Sequence, residues 1–257
     1  MGVVIVSMNT PVLVATDIVK SFPSAEKHKP PVPVLRGISL KVDPGEMVAI
    51  VGPSGSGKST LLYCLSSLES CSSGSVKILT NELGTLGRGA LAKLRRDHIG
   101  FVFQSYNLIP SLTARENVAL PARLAKRPTS RAHIDQVLAS VGLTGRMNHL
   151  PGALSGGEQQ RVAIARVLAM NSDVVFADEP TGSLDTVTGA SVLNLLRRSA
   201  RGNRAVVLVT HDLEAATLAD RVLVMRDGII HAELCGPSVD EVLNTMTTAA
   251  SPAFEGN

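Results

Sequence analysis

The run Gly52-Pro53-Ser54-Gly55-Ser56-Gly57-Lys58-Ser59 puts three glycines, a lysine and a hydroxyl into eight consecutive residues. Glycine lets a backbone curl so that successive N–H groups converge on one anion. Lys58 adds a full positive charge suited to β- and γ-phosphates, and Ser59 offers an oxygen to a hard cation such as Mg²⁺. The spacing fits the phosphate-loop pattern in full. It also sits where that chemistry requires, between the apolar run Met47 to Val51 and a helix expected over about Lys58 to Leu68. The helix adds the positive end of its dipole to the same anion site. Gly52 through Thr60 are therefore read as a nucleotide-binding segment. This loop alone says nucleotide, and leaves open what the nucleotide drives.

A second apolar run, Val174 to Ala177, ends in Asp178 and Glu179. A carboxylate at the end of a buried strand can hold Mg²⁺ through water, and the next one can polarise an attacking water as general base. Alone, Asp-Glu after a strand is a common loop start; beside a phosphate loop it reads as the magnesium and water side of one site. His211 follows the run Ala205 to Thr210 and is a candidate γ-phosphate contact, although a single histidine is more often surface or core. Gln104 follows Ile99 to Phe103, from where it can reach Mg²⁺ or the water.

Elements of both kinds must position these groups. Val12 to Val19 and Val34 to Val42 read as strands around a polar, proline-rich stretch, Pro23 to Pro33. Ser75 to Leu79 and Arg221 to Met225 are further strands. From Pro110 to about Met170 the apolar spacing turns helical, in Thr113 to Leu124, Arg131 to Val141 and Ser155 to Met170. Another helix is expected from about Thr188 to Ser199. Short, continuously apolar strands suit a parallel sheet buried on both faces. The expected fold is α/β with a helical insertion, and no internal repeat is seen. The tail from 236 to 257 is expected to hold one short helix and to end in disorder.

The chain has 257 residues, 44% of them hydrophobic but only 3% aromatic, so its core must be aliphatic. A formal net charge of +3 with scattered basic residues argues against a nucleic-acid partner. Three cysteines without metal-ligand spacing read as reduced thiols. The apolar run Val3 to Val6 is too short to span a bilayer, so a separate chain is expected to supply any channel.

Leu154-Ser155-Gly156-Gly157-Glu158, followed by Gln159-Gln160-Arg161, resembles the signature of the ABC ATPases. The resemblance runs from about Leu13 to Glu233 and implies one nucleotide-binding domain over about 11–235. That domain would be a P-loop NTPase core with an antiparallel β subdomain and a helical subdomain inserted at about 110–170. It makes Gly52 to Ser59 the Walker A loop, Asp178-Glu179 the Walker B carboxylates, Gln104 the Q-loop glutamine and His211 the switch histidine. Ser183-Leu184-Asp185 matches the D-loop, so Ser183 and Asp185 are expected at a dimer contact. Phe22 falls where the family stacks an aromatic on adenine, its alternative being a core phenylalanine. In that family ATP is sandwiched between one subunit's phosphate loop and its partner's signature. Ser155, Gly156, Gly157 and Glu158 would thus bind the ATP of a second copy. Glu158 departs from the commoner glutamine, a change also found within the family.

Several stretches are similar to one subgroup, the lipoprotein-releasing, macrolide-export and antimicrobial-peptide-resistance ATPases. They are Leu35 to Leu40, Leu94 to Gln104, Asn107 to Pro110, Glu116 to Val118 and Ala177 to Asp185. This implies an ATPase with Mg²⁺, a homodimer formed around ATP, and a separate permease on whose cytoplasmic face it sits. An uptake system, for example for amino acids, is an alternative that the motifs leave open. A soluble ABC ATPase is another, although the coiled coils, zinc insertions or paired nucleotide units of such proteins are not found here.

Overall fold

In a computed structural model the described residues are 10–250, except 25, 27, 28 and 128. The expected terminal disorder beyond residue 250 and the run Val3 to Val6 lie outside them. In chain order the first elements are β1 (Leu13–Phe22), β2 (Val32–Val42), β3 (Met47–Val51), α1 (Lys58–Leu65), β4 (Ser73–Ile78) and β5 (Asn81–Glu82). Next come α2 (Arg88–His98), β6 (Ile99–Phe103), α3 (Ala114–Leu124), α4 (Arg131–Ser140), α5 (Gly156–Leu168) and β7 (Val174–Asp178). The last are α6 (Thr186–Ser199), β8 (Ala205–Val209), α7 (Leu213–Thr217), β9 (Arg221–Arg226), β10 (Ile229–Cys235) and α8 (Val239–Ala250).

The strands form two sheets. One is antiparallel, in the order β2-β1-β4-β5. The other has six strands in the order β10-β9-β3-β8-β7-β6, parallel from β9 to β6 with β10 added antiparallel. Every residue of β3, β7 and β8 is buried, as continuous apolar runs covered on both faces require. One core, including Leu13, Ile38, Leu61, Ile78 and Phe176, fills the space between the two sheets around α1. A second, with Val51, Ile164, Val192, Leu208 and Val242, covers the other face of the parallel sheet. A third joins α3, α4 and α5 through Val118, Ile134, Leu138 and Val162. The helical insertion therefore has a core of its own.

The aliphatic core has one exception. Phe101 stacks on Phe103 at 4.1 Å between ring centroids, and Tyr63 and Phe176 flank it at 6.0 and 6.2 Å. Nearly all elements expected from sequence are present with ends shifted by a few residues. Two are additional. In α2 only Leu94 is buried, so its sequence lacks an apolar stripe. In β10 no residue is fully buried, as befits an edge strand.

Candidate active site

Because β3, β8, β7 and β6 run parallel as neighbours, their C-terminal ends open on one edge. Gly52 to Ser59 leaves β3, Asp178 closes β7, Thr210-His211 follows β8 and Gln104 follows β6. Ligands of open α/β sheets bind at this edge.

The loop geometry explains its glycines. Gly52 has φ +153° and its α-carbon lies so close to the Met225 carbonyl that an added Cβ would stand 2.1 Å from that oxygen. Gly57, at φ +95°, meets the Val34 carbonyl and Leu35 at 3.0 Å in the same sense. The first helical N–H of α1 to find a carbonyl is that of Leu61, on Gly57 at 2.8 Å. The N–H groups of Gly57, Lys58, Ser59 and Thr60 have no acceptor among the described residues. A fan of unpaired N–H groups at a helix N-terminus, with glycines where no side chain fits, suits a phosphate chain. The Ser56 hydroxyl is also buried without a partner.

The Lys58 ammonium donates to the carbonyls of Gly52 at 2.9 Å and Pro53 at 3.0 Å. Burial pulls its pKa below the usual value, while the Glu179 and Asp178 carboxylates oppose that shift. Ser59 Oγ donates to Asp178 Oδ1 at 3.0 Å, which sets two hard oxygens side by side. That pair suits Mg²⁺, which keeps several waters and takes few protein ligands.

Tyr63 was not expected. Its hydroxyl donates to Asp178 Oδ2 at 2.7 Å, so the carboxylate is held from both oxygens by the same helix. Burial first, then this bond and the nearby Asp178 charge, push the Tyr63 pKa up to about 12. The signal was available, because Ser59 and Tyr63 are four residues apart and share a helix face.

Glu179 occupies the left-handed region at φ +46°, and its N–H is fixed to the Val209 carbonyl at 2.9 Å. Its Oε2 lies 2.8 Å from His211 Nδ1, so the two expected catalytic groups meet. Gln104 is exposed and its amide lies over Gly182, where an added Cβ would be 2.8 Å from Nε2. Phe22 is 37% exposed and carries the Lys20 ammonium 4.7 Å above its ring.

The signature residues go elsewhere. Ser155 caps α5 by accepting from the Glu158 N–H, and Glu158 Oε2 accepts from the Ser155 N–H at 2.8 Å, a closed capping box. Arg146 donates to Glu158 Oε1 at 2.8 Å. Gly156 packs on the Tyr106 hydroxyl and Gly157 on the Thr188 methyl. Among the described residues no hydrogen bond joins Ser155 to Glu158 with Gly52 to Thr60. Asp185 caps α6 through the Thr188 N–H at 3.0 Å, and Ser183 is exposed.

Helix α5 also supports the site from behind. Buried Gln160 donates from Nε2 to the Pro180 carbonyl at 2.7 Å and the Phe103 carbonyl at 3.4 Å. Arg166 donates to the carbonyls of Asn107 at 2.7 Å and Tyr106 at 3.2 Å, two residues with left-handed backbones. Sequence reading left Gln160 and Arg166 without a role, since a polar side chain facing backbone carbonyls has no motif of its own.

The model of the ABC transporter family matches residues 35–182. The chain belongs to the ABC transporter family. It is an ATPase of that family. It is similar to the macrolide export ATP-binding/permease protein MacB of Marinobacter nauticus, at 46% identity over 85% of this chain and 34% of that one. It is also similar to a probable export ATP-binding/permease protein of Pseudomonas fluorescens, at 43% over 96% of this chain and 38% of that one. The chain thus spans about a third of the length of these relatives. Among solved structures, the dimeric structure of MJ0796, a bacterial ABC transporter cassette, is 39% identical with a TM-score of 0.80. It covers 88% of this chain and 99% of that one. The same cassette bound to ADP and Pi in a dimeric post-hydrolysis state matches with a TM-score of 0.80.

Proposed function

We propose that two copies of this ABC ATPase close around two ATP molecules and drive a permease at the cytoplasmic face of a membrane, in an export or force-transmitting system. The supporting observation is the separation of the two anion-binding surfaces. The signature end of α5 is tied to Arg146, Tyr106 and Thr188, apart from the chain's own phosphate loop. A second copy's ATP gives Ser155, Gly156 and Gly157 a ligand, with Ser183 and Asp185 at the contact. The dimeric cassettes that resemble this chain support the same reading.

Within each site the phosphate loop and Lys58 bind the phosphates. Ser59 and Asp178, with Gln104, would hold Mg²⁺, which spreads the charge of the transferring phosphoryl group. Glu179 accepts the proton of the attacking water, and His211 orients that carboxylate and the γ-phosphate. Phe22 offers a ring to adenine, and Lys20 packs on the same ring. The export assignment rests on relatives whose names join an ATP-binding part to a permease for export. Among the described residues no helix is long and apolar enough to cross a membrane.

The test is Glu179→Gln protein with ATP and Mg²⁺ in light scattering, beside ATPase rate against wild-type concentration. A dimeric mass for the variant and a wild-type rate rising faster than linearly are expected. A variant that stays monomeric overturns the two-copy reading.

A further inference from the structure

At the end of α1 away from the phosphate loop, two of the three cysteines pack against one core. Cys64 is in the last turn of α1 and is 1% exposed; Cys71 is half-buried in the connection to β4 and packs against the same core. Both line a cavity of about 300 Å³ that also includes Ser67, Glu69, Ser70 and Leu91.

The connection between them is held firmly. Lys20 of β1 reaches under it, donating to Glu69 Oε1 and the Ser70 carbonyl at 2.7 Å each. The Ser72 N–H bonds to the Val19 carbonyl at 2.8 Å, and the Ser21 N–H to Ser72 Oγ at 3.0 Å. The N–H groups of Leu68 and Glu69 both return to the Tyr63 carbonyl. Two thiols seven residues apart, lining one cavity on a pinned segment, need little chain ordering to join.

We propose that Cys64 and Cys71 form an oxidisable dithiol, with Cys71 the nucleophile toward a peroxide and Cys64 the resolving thiol. Exposure assigns the roles: Cys71 is reachable by a peroxide from the cavity, while Cys64 is 1% exposed. The charged and titratable groups facing the pair are Lys20 and Glu69. The neighbouring Cys64 thiol, joined by the Lys20 charge, draws the Cys71 thiol below its usual range, against burial and Glu69. The Cys71 thiol and burial push the Cys64 thiol up. An attacking thiol with a pKa near ambient pH is close to the optimum for exchange chemistry.

In the first step Cys71 Sγ as thiolate attacks one peroxide oxygen, the O–O bond breaks, and the departing hydroxide takes a proton to become water. In the second, Cys64 Sγ attacks the sulfenic sulfur of Cys71, the S–O bond breaks, and the hydroxide leaves as water with the Cys64 proton. Two thiols lose two electrons and one hydrogen peroxide becomes two waters. The bridge would tie the end of the helix that carries Lys58, Ser59 and Tyr63 to the start of β4.

The test treats the whole chain with hydrogen peroxide, blocks remaining thiols under denaturing conditions and maps peptides without reductant. Expected are a Cys64–Cys71 cross-link, a fall in free thiols from three to one with exposed Cys235 as the survivor, and full recovery with dithiothreitol. Cys64→Ala should leave Cys71 as a sulfenic acid that dimedone traps, or carry it to sulfinic acid. Cys71→Ser should leave Cys64 reduced. Oxidised Cys71 beside a fully alkylatable Cys64 in the wild type, or cross-links through Cys235 alone, would overturn the proposal. The wild-type map stands even where a variant folds poorly.

Discussion

The Tyr63→Phe variant isolates the contact that sequence reading missed. It removes one hydroxyl that donates to Asp178 Oδ2 at 2.7 Å and leaves the ring in its place beside Phe101. Asp178 is 8% exposed, so its oxygen finds little water in exchange. A hydrogen bond to a charged group contributes about 1.5–3 kcal/mol, and that is the expected destabilisation. For a domain of this size it corresponds to a fall in Tm of about 3–12 °C. Urea unfolding of wild type, Tyr63→Phe, Asp178→Asn and the double variant closes a cycle, with a coupling energy of about 1–3 kcal/mol expected. The pH dependence supplies a second arm. The folded pKa of about 12 lies above the ordinary tyrosine value of 10.0, so the folded protein favours the neutral phenol. That stabilisation is complete below pH 10 and is lost as pH rises from about 10 to about 12. Tyr63→Phe should lack this part of the alkaline loss. Additive single effects within about 0.3 kcal/mol, with unchanged alkaline behaviour, would refute the bond between helix and carboxylate.

Glu179→Gln keeps the shape of the side chain but removes the proton acceptor, so ATP turnover should fall by about 10²–10⁴-fold, or about 3–5 kcal/mol of barrier, while ATP binding measured by a fluorescent analogue persists. Gly52→Ala forces a methyl against the Met225 carbonyl at a backbone angle that favours glycine; thermal melts should show loss of at least about 1–3 kcal/mol, together with loss of nucleotide binding. Ser155→Ala removes the cap of α5 and should cost about 0.5–2 kcal/mol in urea unfolding. Arg166→Met should raise hydrogen exchange at Tyr106 and Asn107, whose carbonyls it leaves without their cationic donor, and unchanged exchange there would contradict the assignment.

Legibility in the sequence followed how local each signal is. The phosphate loop, the two carboxylates and the parallel strands were readable because each is written in consecutive residues. Ser155 and Glu158 were read as ligand groups; their capping box is equally local, and the fold shows that they also end a helix. What sequence left out depends on pairs distant along the chain. Tyr63 meets Asp178 across 115 positions, Lys20 meets Ser70 across 50, and Gln160 meets Phe103 across 57. Only for Tyr63 does periodicity help, by setting it one helical turn from Ser59; nothing comparable marks the other pairs. The helix α2 was missed for a different reason: only Leu94 is fully buried, and most of its positions are polar or charged.

Gln160 has a mechanical consequence. A single amide group hangs from α5 and holds two carbonyls, one next to Gln104 and one next to Glu179. Its own oxygen is buried without a partner, so no competing bond draws the side chain another way. Arg166, two turns further along, grips the Tyr106–Asn107 backbone. The helix is therefore less a wall of the site than a crankshaft. A torque applied to the helical insertion through α3 or α4 would reach α5 through their common core, and with it the segments that carry Gln104 and Glu179. On the proposed function, a permease pressing on the insertion would reach the nucleotide site through backbone carbonyls, without touching the nucleotide.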